Sequence, residues 1–80
     1  MKKIANLYNK IDALRDAVEE LIGELEEKQC SIEEHANDMD RDMTEREEER
    51  WNEIDGQLDA LRECLDNLEY ARDNIEEYAD

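Results

Sequence analysis

From residue 4 onward, apolar residues recur alternately three and four apart: Ile4, Leu7, Ile11, Leu14, Val18, Leu21 and Leu25. This is a heptad seam with β-branched residues mostly at position a and Leu at position d, the pattern of a helix that pairs with another helix. The phase continues, diluted, through Lys28, Ile32, His35 with Ala36 beside it, and Met39. A second seam runs through Trp51, Ile54, Leu58, Leu61, Leu65, Leu68, Arg72, Ile75 and Ala79. Gly56 falls inside it but off the seam, where it costs about 1 kcal/mol without breaking a helix.

Between the seams lies the least apolar stretch, Asn37-Asp38-Met39-Asp40-Arg41-Asp42-Met43-Thr44. Its Asx residues favour turns and caps. Thr44 followed by Glu47 has capping-box spacing and marks a helix start at about residue 45. Ser31 and Glu34 share that spacing, so a break at Cys30-Ser31, giving three shorter segments, is the alternative. A middle helix over 32–55 would offer few apolar residues to a bundle. The expectation is therefore all-α: one domain over 1–80, an antiparallel two-helix coiled-coil hairpin, with helix 1 at about 2–37, a turn at about 38–44 and helix 2 at about 45–79.

Register supports this topology. With a turn near 41, facing positions have numbers summing to about 82 or 83. Leu7 then meets Ile75, Leu14 meets Leu68, Val18 meets Leu65, Leu21 meets Leu61, Leu25 meets Leu58, and Ile32 meets Trp51. One polar layer places Arg72 near Ile11. The terminal charges agree: Lys2, Lys3 and Lys10 lie beside Glu76, Glu77 and Asp80, and Arg15 faces Glu69 across a flank. Each exposed pair contributes only about 0–1 kcal/mol, enough to choose orientation but little else.

Charge changes the picture more than composition does. The chain carries 26 acids against 10 bases, a net −16. Such a field repels nucleic acid and anionic membranes and speeds encounter with a basic protein surface. Residues 33–55 hold eleven acids against three Arg. If a basic partner exists, the carboxylates to meet it are Asp38, Asp40, Asp42, Glu45, Glu48 and Glu49. A solvated face that only keeps the rod soluble is the plainer reading of the same charge. No apolar run approaches the ~20 residues of a membrane span. Met1-Lys2-Lys3 opens like a signal peptide but is followed by residues too polar for one. The expected location is the cytoplasm, with Cys30 and Cys64 as free thiols, since their register separates them by roughly 16 Å.

Candidate chemistry is thin. Asp38, Asp40, Asp42 and Glu49 mimic calcium-loop spacing, but Met43 stands where such a loop needs Gly and Glu45 where it is usually apolar. His35, Asp38 and Asp42 share a helical face without a further His or Cys ligand. A two-helix rod has no pocket to perturb an acid–base pair, so neither catalysis, metal nor cofactor is expected.

One flank is low in charge: Ala17 and Ser31 from helix 1, and Gln57, Cys64, Ala71 and Tyr78 from helix 2. Ala17, Gln57, Cys64, Ala71 and Tyr78 are the candidate contact residues of a homodimer, which would complete a four-helix bundle. Three functions compete, the third being a metal-dependent switch at the turn. The first is a small acidic binding protein, an inhibitor that occupies a basic, nucleic-acid-binding surface of a partner. The second is a structural or assembly coiled coil whose acidity serves solubility.

Overall fold

The computed structural model describes residues 2–79. Helix α1 spans Lys2–Asp38 and helix α2 spans Glu45–Ile75, followed by a single 3₁₀ turn, Glu76–Tyr78. The described residues contain no strand. The two helices pack antiparallel along their length into a rod of 59 × 16 × 13 Å.

α1 runs through Cys30-Ser31 without a break, so the three-segment alternative is not the fold. Ser31 is exposed, while Ile32 and Ala36 beyond it pack inward and hold the helix on course. At the far end the α-helical geometry stops at Ile75, short of the expected 79, and tightens to 3₁₀. Glu76 and Glu77 place two carboxylates at the negative end of the helix dipole there.

The turn is closed by local hydrogen bonds at both helix ends. Asp40 adopts the left-handed conformation, φ 52°. Its N–H donates to the Asn37 carbonyl at 3.0 Å, and the Arg41 N–H donates to the Ala36 carbonyl at 3.2 Å. These are the two bonds of a Schellman motif, with Asp where Gly is commonest. Thr44 opens α2 in an extended conformation. Its hydroxyl accepts the Glu47 N–H at 3.2 Å while the Glu47 carboxylate accepts the Thr44 N–H at 2.9 Å. This is the expected capping box.

The core is a single layer. Val18, Ile22 and Leu25 meet Ile54 and Leu58, with Ile32, Leu61, Leu65 and Leu68 packed around them. α2 presents its seam as the heptads predict, and Leu58 has no exposed surface. α1 does not. Leu7, Leu14 and Leu21 were expected in the seam, yet they are 50%, 53% and 43% exposed. The helix is rotated so that positions a and e face α2. Ile22 and Ala36 are buried, and Tyr8, Arg15 and Gln29 are half-buried.

The lower half of α1 explains the rotation. Towards the turn, the d positions become Lys28 and His35, whereas the e positions are Gln29 and Ala36. A stiff helix presents one stripe along its whole length. Burying d throughout would desolvate Lys28 at the seam without a partner. Burying e instead brings in Ile22 and Ala36 and leaves the three leucines on the side.

Candidate functional site

Two surfaces stand out, one at the turn and one along a flank. At the turn, Asp38, Asp40, Asp42, Glu45, Glu48 and Glu49 are all exposed. Glu45, Glu48 and Glu49 recur at i, i+3 and i+4, so they share one face of the first turns of α2. None of the six forms an ion pair among the described residues. Nearby, the Arg41 guanidinium donates instead to Glu47 at 2.7 Å and to the Asp42 backbone carbonyl at 2.9 Å. The Arg41 bond and the Thr44 backbone bond hold the Glu47 carboxyl down from 4.5 to about 2. The turn thus neutralises one carboxylate and leaves the others facing water. Glu45 and Glu48, with Glu47, also sit where the helix dipole favours negative charge, which stabilises the start of α2.

The His35, Asp38 and Asp42 grouping does not close into a site. His35 is exposed, and the described residues contain no group of three His, Cys, Asp or Glu side chains placed to hold a metal ion. Cys30 and Cys64 are free and exposed.

One flank of the hairpin is stitched by polar contacts. Arg72 donates to Asp12 at 2.9 Å, and this bond raises the Arg72 pKa above its ordinary value. The polar layer is therefore Arg72 with Asp12, next to the Ile11 position expected for it. Arg15 reaches Glu69 across the helices at 3.6 Å, as well as Asp12, Asp16 and Glu19 on its own helix. Its Nε is shut off from solvent without a hydrogen-bond partner. Nearer the turn, Gln29 donates to the Trp51 carbonyl at 3.3 Å and lies 3.5 Å from Asp55, and the Trp51 indole donates to Glu33 at 2.9 Å. Four of these pairs (Asp12–Arg72, Arg15–Glu69, Gln29–Asp55, Glu33–Trp51) have numbers summing to 84, close to the register expected for the seam.

The opposite flank is different. Leu21 and Leu25 of α1, with Gln57, Ala60 and Leu61 of α2, line an open groove of about 400 Å³. Cys64, Ala71 and Tyr78 follow Gln57 at heptad spacing along the same side of α2, and Leu14, Ala17 and Leu7 precede Leu21 along the same side of α1. Ala17, Gln57, Cys64 and Tyr78 are exposed and Ala71 is half-buried. Pattern reading placed the leucines in the seam and so missed them here. The available signal was the pair of apolar e positions, Tyr8 and Ile22, which widen the apolar face of α1 beyond a two-helix seam.

No helix among the described residues is long and apolar enough to cross a membrane. In comparisons with protein-family models, curated proteins and solved structures, nothing matches the chain. Its class therefore rests on the fold and surface: a helical hairpin with an acidic turn end and a separate apolar flank.

Proposed function

We propose that this chain is a small acidic helical binding protein whose turn end occupies a basic surface of a partner protein, as an inhibitor of nucleic-acid binding would. The observation that carries the reading is the set of six exposed carboxylates without cationic partners among the described residues, mounted on a turn held by the Schellman bonds and the capping box. Preorganised carboxylates compete for the Lys and Arg side chains that meet phosphates, and they raise the on-rate at low salt. The role is binding and not catalysis. Free, exposed Cys30 and Cys64 fit a reducing, cytoplasmic setting.

The test is salt-graded capture. The immobilised protein is exposed to lysate at low and high salt, beside a variant with Glu45→Gln, Glu48→Gln and Glu49→Gln whose helicity is checked by circular dichroism. The expected result is salt-sensitive capture of a basic protein by the wild type, lost in the variant, with the captured protein released from DNA or RNA. Capture that is unchanged in the triple variant overturns the reading.

A second reading, an assembly coiled coil that self-associates into a four-helix bundle, is favoured by the exposure of Leu7, Leu14 and Leu21. The two readings use different surfaces and coexist on one rod. Sedimentation equilibrium tests the second: a dimer at micromolar concentration is expected, and monomer throughout that range overturns it.

A further inference from the structure

Charge is distributed very unevenly along the rod. Residues 2–21 carry four bases (Lys2, Lys3, Lys10, Arg15) and four acids (Asp12, Asp16, Glu19, Glu20), so the net −16 lies entirely beyond residue 21. The strongest excess, fifteen acids against four bases, is in 22–59, the turn half. The open half of the rod holds the leucine stripe.

On α2 the segregation is around the helix as well as along it. From 57 to 78, heptad positions c and g carry no charge at all: Ala60, Asn67 and Asn74 accompany Gln57, Cys64, Ala71 and Tyr78. Every charged residue of that stretch other than Arg72, which reaches Asp12, sits at b, e or f. In a chain that is 45% charged, these seven successive uncharged positions give α2 one side that can pack against another surface without burying a charge.

Building on the self-association reading, we propose that a second copy of this chain packs antiparallel on this flank, helix α1 against α1 and α2 against α2, about a two-fold axis beside Leu14. The spacing is self-complementary about that residue. Leu14 meets Leu14, and Leu7 meets Leu21 of the second copy at the groove lined by Leu25, Gln57, Ala60 and Leu61. Lys3 comes opposite Glu24, and Lys10 opposite the small Ala17. On α2 the axis passes near Leu68, between Cys64 and Ala71, so Cys64 of one copy lies beside Ala71 of the other.

Electrostatics chooses the orientation. A parallel pair would set the two acidic turn halves side by side, and like charges so placed cost several kcal/mol. The antiparallel pair overlaps the less acidic halves, in which residues 2–21 are neutral and 60–80 carry a net −5, and sends the more acidic turns to opposite ends. Overlap of residues 3–25 is about 33 Å long. Across the 16 Å width of the rod this gives roughly 500 Å² of projected face per copy. Accessible area exceeds projected area, so the face is of the order of the ~800 Å² per partner in a standard interface. The result is a bivalent rod with a carboxylate-rich turn at each end.

Disulfide trapping tests the geometry. In a Cys30→Ser, Cys64→Ser background, Leu14→Cys is expected to form a covalent dimer under mild oxidation, whereas Asp16→Cys, on the outer face at nearly the same height, is not. Leu14→Glu, which sets two carboxylates at the axis, is expected to weaken the dimer roughly 100-fold or more while keeping its helicity, because Leu14 is exposed in the single hairpin. A wild-type dimer that cross-links at Asp16→Cys as readily as at Leu14→Cys overturns this arrangement and leaves self-association standing. A wild type that sediments only as monomer overturns both, without touching the turn-end reading.

Discussion

The Arg41 guanidinium donates to the Glu47 carboxylate over 2.7 Å, and the same carboxylate oxygen accepts the Thr44 backbone N–H that opens α2. One side chain therefore ties the turn to the helix start. Its pKa is held at about 2 against an ordinary 4.5. A depressed carboxyl contributes stability that is fully present above its unfolded-state value and is lost as pH falls through the folded one. Glu47 should thus titrate at about 2 by carbon-detected NMR. The stability difference between wild type and Glu47→Gln should be full above about pH 4.5 and vanish as pH approaches 2. A Glu47 midpoint near 4.5 would contradict this.

Among the described residues Leu58 is the one large side chain with no exposed surface, and it sits at the centre of a core one layer thick. Leu58→Ala should cost about 2–5 kcal/mol by urea denaturation, a large share of what a hairpin this small possesses. Leu14→Ala should have a much smaller effect on the isolated hairpin, since that leucine is half exposed.

Gly23 and Gly56 both lie within helices, and a Cβ at either would meet nothing within 4 Å. Gly23→Ala and Gly56→Ala should each raise stability by about 1 kcal/mol through helix propensity and a less free unfolded chain. Unchanged or lower melting temperatures would mean that these positions contact something the hairpin alone does not contain.

Asp40 holds a left-handed conformation that L side chains adopt at a cost of about 1–2 kcal/mol. Asp40→Gly should relieve part of it and stabilise the hairpin by about 0.5–1 kcal/mol, keeping both Schellman bonds. Lower stability on thermal denaturation would show that the Asp40 carboxylate is needed at the turn.

Salt should act in opposite directions on the two surfaces. Two rods of −16 each repel, so raising salt should tighten the dimer in sedimentation experiments. Capture of a basic partner at the turn should weaken over the same range. Parallel trends in the two measurements would indicate that one surface serves both.

Helix identity, the turn and the pairing of α1 with α2 are written in local chemistry. Thr44 and Glu47 cap a helix wherever the rest of the chain goes, and Leu58, Leu61, Leu65 and Leu68 leave α2 only one apolar stripe. The acidity of the turn is equally plain from Asp38 to Glu49. The face α1 turns to its partner was not legible, because Leu7, Leu14 and Leu21 at d compete with Tyr8, Ile22 and Ala36 at e, about 100° around the helix. Heptad counting favours the leucines. Packing decided otherwise: α1 shows one stripe to α2 along its whole length, and towards the turn that stripe can bury Gln29 and Ala36 more cheaply than Lys28 and His35. That rotation, a property of the assembled pair, is what leaves three leucines exposed on a flank whose α2 side carries no charge from Gln57 to Tyr78.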